Sequence, residues 1–227
     1  MRYFIAMERT KETIKRTAYE QGAALVGFCK LNEEPVKGLT HAVSIAVKLS
    51  DAVLKSIDDA PSFAYFQHYR TANALLDRIA FIVGGVIEKA GYSAFPVAAS
   101  QSQGKGNPYS GVYSHKTAAV LSGLGFVGKS GLFLTENYGS KVRLATVLTD
   151  MPLTSDLPVI ENGCGTCDLC KRSCPAGAIY GTLPTTDGES NFDAEKCSRY
   201  MKEHFQDIGR GSVCGICIKV CPKNKLN

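Results

Sequence analysis

The sequence predicts an α+β chain with a C-terminal region specialised for metal binding. Helix-like and strand-like segments alternate through the first 150 residues, whereas eight of the nine cysteines lie after residue 163. At 227 residues and 44% apolar content, the chain can bury a substantial core. We therefore expect one large domain, or one domain with a small appendage.

The elements are predicted in order from periodicity and from helix start and stop signals. Thr10 is a candidate helix cap, Gly22 a helix stop, and Gly84-Gly85 a candidate bend in the longest periodic segment. The predicted helices cover residues 10–21, 62–90 and 115–121, the last capped by Ser114. The predicted strands cover residues 23–29, 41–49, 92–98 and 142–148, and residues 100–112 are predicted to form a polar, glycine-rich loop.

Charge and hydropathy limit the class of protein. The net charge of +5 comes from 26 basic and 21 acidic residues that are scattered along the chain, so it gives only a weak indication of an anionic partner or cofactor. The N-terminal segment lacks the apolar core of a secretory signal, and no run is long enough to span a membrane. We expect a soluble, cytoplasmic protein.

The cysteine spacing indicates two iron–sulfur clusters. The first run is C-x₂-C-x₂-C-x₃-C-P from Cys164 to Cys174, which bacterial ferredoxins use for [4Fe–4S] clusters. Cys197 is followed by a second run from Cys214 to Cys221, which also ends in Cys-Pro. A reducing compartment keeps thiols free for metals, and eight thiolates are the number that two cubanes require.

The ligands are expected to be exchanged between the two runs, because the cysteine before proline serves the other cluster in the ferredoxin pattern. The predicted first cysteine group is Cys164, Cys167, Cys170 and Cys221. The predicted second cysteine group is Cys174, Cys197, Cys214 and Cys217. Structural zinc is the alternative, although zinc motifs do not require the third cysteine or the paired Cys-Pro endings. Cys29 is interpreted as a buried thiol.

The segment GLGFVGKS, residues 123–130, matches both a phosphate-binding loop and a dinucleotide-binding pattern. Both patterns need a strand before the loop and a long helix after it, whereas the preceding HKTAAVLS is helix-like and the following segment is short. Neither nucleotide interpretation is therefore favoured. Gly123, Gly125 and Gly128 instead predict a tight turn against another element or a bulky cofactor, with Lys129 near an anionic group or in solvent.

Several segments together resemble the epoxyqueuosine reductase family and its relatives, the reductive dehalogenases. They are GLGFVGKSGLFLTENYGSKVRLATVLTDMPLTSD, CGTCDLCKRSCPAGAI, FDAEKCSRYM and CGICIKVCPKN, in the family's order. The resemblance implies a nitroreductase-like N-terminal domain that binds cobalamin and a ferredoxin-like C-terminal domain with two [4Fe–4S] clusters that reduce the cobalt. It therefore implies a corrinoid near the Gly123 loop. A flavin is a further possibility, since nitroreductase-like folds commonly bind one.

The chain also departs from this family. An ungapped comparison places Tyr109 where tRNA-modifying members carry an aspartate proton donor, and reductive dehalogenases use a tyrosine, so Tyr109 and Tyr113 are the candidate donors. His115 is a candidate proton shuttle or cobalt ligand, with a capped helix residue as the alternative. Lys116 and Lys129 are expected to lower a tyrosine pKa or to bind a phosphate tail. The sequence ends six residues after Cys221, so we expect no tRNA-binding helical repeats.

The resulting hypothesis assigns residues 1–155 to a cofactor-binding domain and residues 156–227 to the double-cluster domain. An external low-potential donor would supply electrons through the clusters to a cobalamin-type cofactor that reduces a substrate the sequence does not identify. The alternative is a non-catalytic electron-transfer or corrinoid-activating protein that docks on a corrinoid protein partner. The first hypothesis predicts a deep pocket beside the Gly123 loop, and the second predicts a shallow or filled one.

Overall fold

The computed structural model describes residues 2–100, 102, 108–155, 157–158, 160–184, 191–209, 211 and 213–226, with side chains from residue 7 onward. The chain divides into two compact units, and each is built from separate segments. The first unit contains residues 1–48, 73–124 and 143–160. The second unit contains residues 49–72, 125–142 and 161–227.

The described residues form helices, strands and two 3-10 turns. The helices are α1 (Arg2–Glu20), α2 (Asp51–Lys55), α3 (Phe63–Lys89), α4 (His115–Leu121), α5 (Leu169–Arg172), α6 (Ala194–His204) and α7 (Ile216–Lys219). The strands are β1 (Leu25–Lys30), β2 (His41–Lys48), β3 (Ala94–Val97), β4 (Phe126–Val127), β5 (Phe133–Leu134) and β6 (Val142–Thr149). The 3-10 turns are Gln206–Ile208 and Pro222–Asn224.

A four-stranded sheet with the order β1-β2-β6-β3 forms the centre of the first unit, and the β1–β2 and β3–β6 pairs are antiparallel. Strand β2 is buried at six consecutive positions, which is expected of a strand covered on both faces. Helix α1 packs against β1, and α4 packs against β1 and β2. The mixed α/β architecture with an antiparallel sheet confirms the coarse fold prediction.

The predicted strands and the long helix are confirmed, with shifted ends. Leu76, Ile79 and Val83 of α3 are fully buried, as their helical spacing predicted. Helix α3 continues through Gly84-Gly85, where the structure assigns helix to both residues. The start predicted at Thr10 is wrong, because α1 begins at Arg2 and Thr10 lies inside it. Residues 100, 102 and 108–112 of the predicted 100–112 loop belong to no helix or strand, as predicted, and its other residues lie outside the described part of the chain.

The second unit holds a small hairpin and the cysteine runs. Strands β4 and β5 pair antiparallel, and α5 packs against α7. Gly165 and Gly215 follow the first cysteine of each run, and both have positive φ, 53° and 84°. The left-handed conformation favours glycine, so the matching Cys-Gly pairs turn the chain at the start of each run.

None of the helices in the described part of the chain is both long enough and apolar enough to cross a membrane.

Candidate functional site

The cysteines of the predicted first group line one cavity in the second unit. Cys164, Cys167, Cys170 and Cys221 surround a space of about 40 Å³, together with Lys129, Ser130, Leu134, Pro222 and Lys223. Electrostatic interactions link the Cys170 thiol with those of Cys164, Cys167 and Cys221. The first and second runs therefore contribute to one group, in the same arrangement as the exchanged ligand assignment.

The second group forms in the same way from Cys174, Cys197, Cys214 and Cys217. The Cys217 thiol interacts electrostatically with the other three and also with Cys170 of the first group. Burial, together with Cys214, Cys174 and Asp193, raises the pKa of Cys197 to about 12. Burial and its cysteine neighbours also raise the pKa of Cys217. Four crowded, partly buried thiolates repel one another, so an adjacent cationic metal cluster would stabilise them.

The arrangement fits a cluster better than a single ion. All eight cysteines are free thiols and partly exposed. Within the described ranges, no three His, Cys, Asp or Glu side chains are grouped closely enough to hold one metal ion. The ligands of a cubane bind four different irons around a larger body, whereas four ligands of zinc converge on one atom at about 2.3 Å. The third cysteine of each run and the paired Cys-Pro endings are the features that favour the cluster prediction over structural zinc.

Backbone N–H groups point at the cysteine sulfurs. The amide of Ala178 donates to Cys174 Sγ at 3.4 Å, and the amide of Lys171 donates to Cys170. The amides of Ile216 and Lys223 donate to Cys214 and Cys221, and the Ser140 side chain also hydrogen-bonds Cys221. Such hydrogen bonds stabilise thiolates and tune the potential of a bound cluster.

Two buried or half-buried asparagines join the hairpin to the cysteine loops, and sequence reasoning missed both. Asn162 Nδ2 donates to Val127 O at 2.6 Å, while its Oδ1 accepts from the Cys164 amide at 2.9 Å. Asn191 Nδ2 donates to Gly128 O at 2.7 Å. These bonds hold the β4 end of the hairpin beside Cys164.

Asn224 makes the equivalent connection at the second run. It is 1% exposed, and its Oδ1 accepts from Ser140 N at 2.7 Å and Ser140 Oγ at 3.1 Å. Its Nδ2 donates to Ile218 O at 2.5 Å. The only sequence signal was its position three residues after Cys221.

We expect Asn224→Ala to lower the free energy of unfolding by about 2–4 kcal/mol, because it leaves several buried polar groups unpaired. The purified variant should also lose iron, since Ser140 contacts Cys221. Apparent thermal midpoints and iron content would measure both effects. Asn137→Ala, at an exposed turn of the same unit, is the matched control, and equal losses in the two variants would contradict this role for Asn224.

The GLGFVGKS segment forms the first half of the hairpin. A Cβ at Gly125 would lie 1.9 Å from Leu134 O, and one at Gly128 would lie 3.1 Å from Cys164 Sγ. A Cβ at Gly123 would lie 2.7 Å from Pro158 O. These positions must be glycine because protein atoms already lie against them.

Lys129 is positioned by the same hairpin. Its Nζ donates to Gly165 O at 2.7 Å and to Cys167 O at 3.2 Å. The group it meets is therefore the backbone of the first cysteine run. Asp150, the residue after β6, accepts hydrogen bonds from Ser93 N at 2.8 Å and Ser93 Oγ at 3.2 Å.

The candidate proton donors lie in the first unit. Tyr113 is 5% exposed, and its hydroxyl has no hydrogen-bond partner among the described residues. Burial, Cys29 and Glu33 raise the pKa of Tyr113 to about 12. The expected lowering of a tyrosine pKa by lysines is therefore wrong for Tyr113. Tyr109 is 45% exposed.

Both ring nitrogens of His115 have partners. Nε2 lies 3.1 Å from Ala98 O, which can only accept, so Nε2 carries the proton and Nδ1 accepts from Thr146 Oγ1 at 2.8 Å. Lys116, the next residue of α4, is exposed as a whole residue. Protein atoms around its ammonium displace water, and this desolvation lowers the pKa of Lys116. Burial, the largest effect, lowers the pKa of His115 from 6.5. His68 also has a protein partner, since its Nε2 accepts a hydrogen bond from Ser50 N at 3.0 Å.

The lowered pKa of His115 predicts that the stability of the folded protein depends on pH. In the unfolded chain His115 binds a proton as the pH falls below about 6.5, whereas in the folded chain its lowered pKa delays protonation. The free energy of unfolding is therefore highest above pH 6.5 and falls as the pH drops toward the pKa of His115 in the folded state. The apparent unfolding midpoint of the wild-type protein should decrease more between pH 7.5 and 5.5 than that of His115→Gln. Parallel decreases in both proteins would show that His115 does not contribute.

The comparisons with known proteins agree with this geometry. Residues 163–224 match the family model of the "4Fe-4S double cluster binding domain". The chain contains a double [4Fe–4S] cluster domain. All eight cysteines of the two groups lie in this matched segment, as do Asn191 and Asn224.

About half of the chain is also similar to curated members of two enzyme families. It is 34% identical over 124 residues to the tetrachloroethene reductive dehalogenase of Sulfurospirillum multivorans, which covers 52% of this chain and 25% of that protein. It is 37% identical over 116 residues to the epoxyqueuosine reductase of Lactococcus garvieae, which covers 47% of this chain and 31% of that protein. The chain therefore spans about a third or less of these curated relatives.

Solved structures extend the likeness beyond the double-cluster domain. A reductive dehalogenase described as B12-dependent matches 94% of this chain and 31% of its own, with a TM-score of 0.75 and 25% identity. An epoxyqueuosine reductase in complex with a tRNA stem loop matches 96% of this chain and 66% of its own, with a TM-score of 0.62 and 21% identity. The second likeness shows the fold alone.

Proposed function

We propose that the chain is an iron–sulfur oxidoreductase that passes electrons from an external low-potential donor through two [4Fe–4S] clusters to a cobalamin-type cofactor. The observation that carries the proposal is the gathering of the eight cysteines into two groups of four, with Cys217 of the second group close enough to interact electrostatically with Cys170 of the first. Adjacent ligand groups suit transfer of single electrons from one centre to the next. When bound, the clusters would supply this one-electron chemistry.

The chain's own residues would hold and insulate the clusters. The eight cysteines would ligate iron in the exchanged arrangement, and the backbone amides that donate to their sulfurs would stabilise negative charge. Leu134 and Pro222 are apolar residues that line the cavity of the first group, and Asn162 fixes the loop that carries Cys164. These groups limit water access and keep the sulfurs in place.

We propose residues 1–155 as a nitroreductase-like cofactor domain and residues 156–227 as the ferredoxin-like cluster domain. The likeness to the B12-dependent dehalogenase, which covers most of this chain, supports a corrinoid in the first of these. Tyr109 and Tyr113 remain the proposed proton donors. The free thiols and low-potential chemistry favour a reducing, cytoplasmic location.

The residues first assigned to the corrinoid are engaged by protein groups in the described ranges. Lys129 binds two carbonyl oxygens, His115 uses both ring nitrogens, and protein atoms lie against the loop glycines. They do not form a corrinoid cradle as they stand, so no step is derived through that group. The same contacts with protein groups leave these residues unavailable to bind a flavin as they stand.

This engagement favours the second candidate function, a non-catalytic electron-transfer or corrinoid-activating protein. In that role the first unit would dock a corrinoid protein partner, and the clusters would reduce the partner's cobalt. A filled Gly123 loop is what this candidate predicts. The two candidates share the double-cluster domain and differ in whether this chain itself binds the corrinoid.

A cobalamin titration separates the two candidates. Anaerobically purified, dithionite-reduced protein is mixed with hydroxocobalamin, and retained cobalt is measured after gel filtration along with the absorption spectrum. Stoichiometric retention supports the reductase. Reduction of cobalamin without retention favours the activating protein, and neither retention nor reduction would overturn both. Cys167→Ser/Cys217→Ser, which removes one ligand from each group, is the control for reduction by dithionite alone.

A further inference from the structure

Lys129 brings a positive charge to the wall of the first cysteine group. It lines the same cavity as Cys164, Cys167, Cys170 and Cys221. Its Nζ is fixed there by hydrogen bonds to Gly165 O and Cys167 O, two carbonyl oxygens of the Cys164–Cys167 turn. The ammonium is therefore held by the ligand loop and does not move freely in solvent.

A fixed cation beside a redox centre acts differently on its two oxidation states. Uptake of one electron from a donor makes a [4Fe–4S] centre one unit more negative, and a nearby positive charge stabilises that form. The half-buried position of Lys129 reduces screening by water compared with an exposed lysine. Its charge should therefore favour the reduced form of the first cluster.

We infer that Lys129 is a positioning residue that raises the reduction potential of the cluster held by the first cysteine group. This inference rests on the proposed function, because it requires a cluster at that group. It assigns the Gly-Lys-Ser end of the nucleotide-like motif a role in electron transfer. Compared with a chain lacking this charge, an electron shared by the two clusters is shifted toward the first group.

The test is an EPR-monitored redox titration of the anaerobically purified protein and its Lys129→Gln variant. Glutamine keeps a hydrogen-bond donor but removes the charge. We expect the ratio of reduced to oxidised first cluster at a fixed potential to fall about tenfold in the variant, a shift of about 59 mV to lower potential for a one-electron couple. Lys202→Gln, on the exposed side of α6, makes the same change in net charge and should leave the ratio unchanged.

The Lys129→Arg variant separates charge from simple support of the loop. Arginine keeps the charge and the donors, so it should retain iron and the wild-type potential. An unchanged potential in Lys129→Gln, or an equal shift in Lys202→Gln, would overturn the inference while leaving the clusters in place. If Lys129→Gln loses its first cluster, the Lys129→Arg variant decides the question. A shifted potential or a loss of iron in Lys129→Arg would then overturn the inference that the charge of Lys129 sets the potential. Absence of any cluster signal in the wild-type protein overturns the proposed function as well.

Discussion

The double variant Cys167→Ser/Cys221→Ser is expected to keep about four of the eight irons that two cubanes contain. In the exchanged arrangement both substitutions affect the first group, whose thiols surround one cavity. The second group retains all four cysteines. Iron and sulfide analysis after anaerobic purification would measure the remaining cluster.

Cys217→Ser/Cys221→Ser is the matched comparison, because both of its cysteines come from the same sequence run. In the exchanged arrangement it removes one ligand from each group, so it should lose nearly all iron. If each run instead served its own cluster, Cys217→Ser/Cys221→Ser would keep about four irons and Cys167→Ser/Cys221→Ser would lose most of them. The order of the two iron contents therefore decides between the arrangements.

Gly215→Ala is expected to destabilise the second unit far more than Gly165→Ala. Both glycines have positive φ and follow the first cysteine of a run. A Cβ at Gly215 would lie 2.5 Å from Tyr65 Cε1 and 2.8 Å from Ile57 Cδ1, whereas nothing lies within 4 Å of one at Gly165. Tyr65 and Ile57 are nearly fully buried, so neither can move aside without disturbing the core.

Gly165→Ala should cost about 1 kcal/mol through backbone strain alone. Gly215→Ala should cost about 3 kcal/mol or more, because overpacking adds to the same strain. Apparent thermal midpoints and retained iron would measure the difference. Comparable losses in both variants would mean that the packing of Tyr65 against the Cys214 turn is not important.

The elements that could be predicted are those with a clear pattern over a short stretch of sequence. The period of α3 follows from apolar residues such as Leu76, Ile79 and Val83, which are fully buried. The beginning of α1 was not predicted, because Thr10 resembles a cap and no equally clear start signal precedes it. The role of the cysteines as cluster ligands was predictable because the spacing within each run is a short-range property of the sequence.

The rest of the site depends on contacts between distant parts of the chain. Asn224 and its partner Ser140 are 84 residues apart, and Lys129 is separated from Gly165 by 36. No local spacing rule connects such pairs. The asparagine contacts and the lysine contact to the cysteine loop were therefore not predictable from a single sequence.

GLGFVGKS shows why a nucleotide pattern can match a segment with another role. Its glycines and lysine are the residue types that approach a phosphate closely. Here Phe126–Val127 is a strand of a hairpin, Gly128 lies against Leu134 and Cys164, and Lys129 binds backbone carbonyls. The same small and cationic residues bring the hairpin close to the cysteine loop.

We expect the eight cysteines of the two groups to hold two [4Fe–4S] clusters. The most direct measurement is iron, sulfide and zinc analysis of anaerobically purified wild-type protein, combined with low-temperature EPR of the dithionite-reduced sample. The expected result is about eight irons and eight sulfides per chain, with EPR signals from two [4Fe–4S] centres. Stoichiometric zinc, or iron for only one cluster, would contradict it.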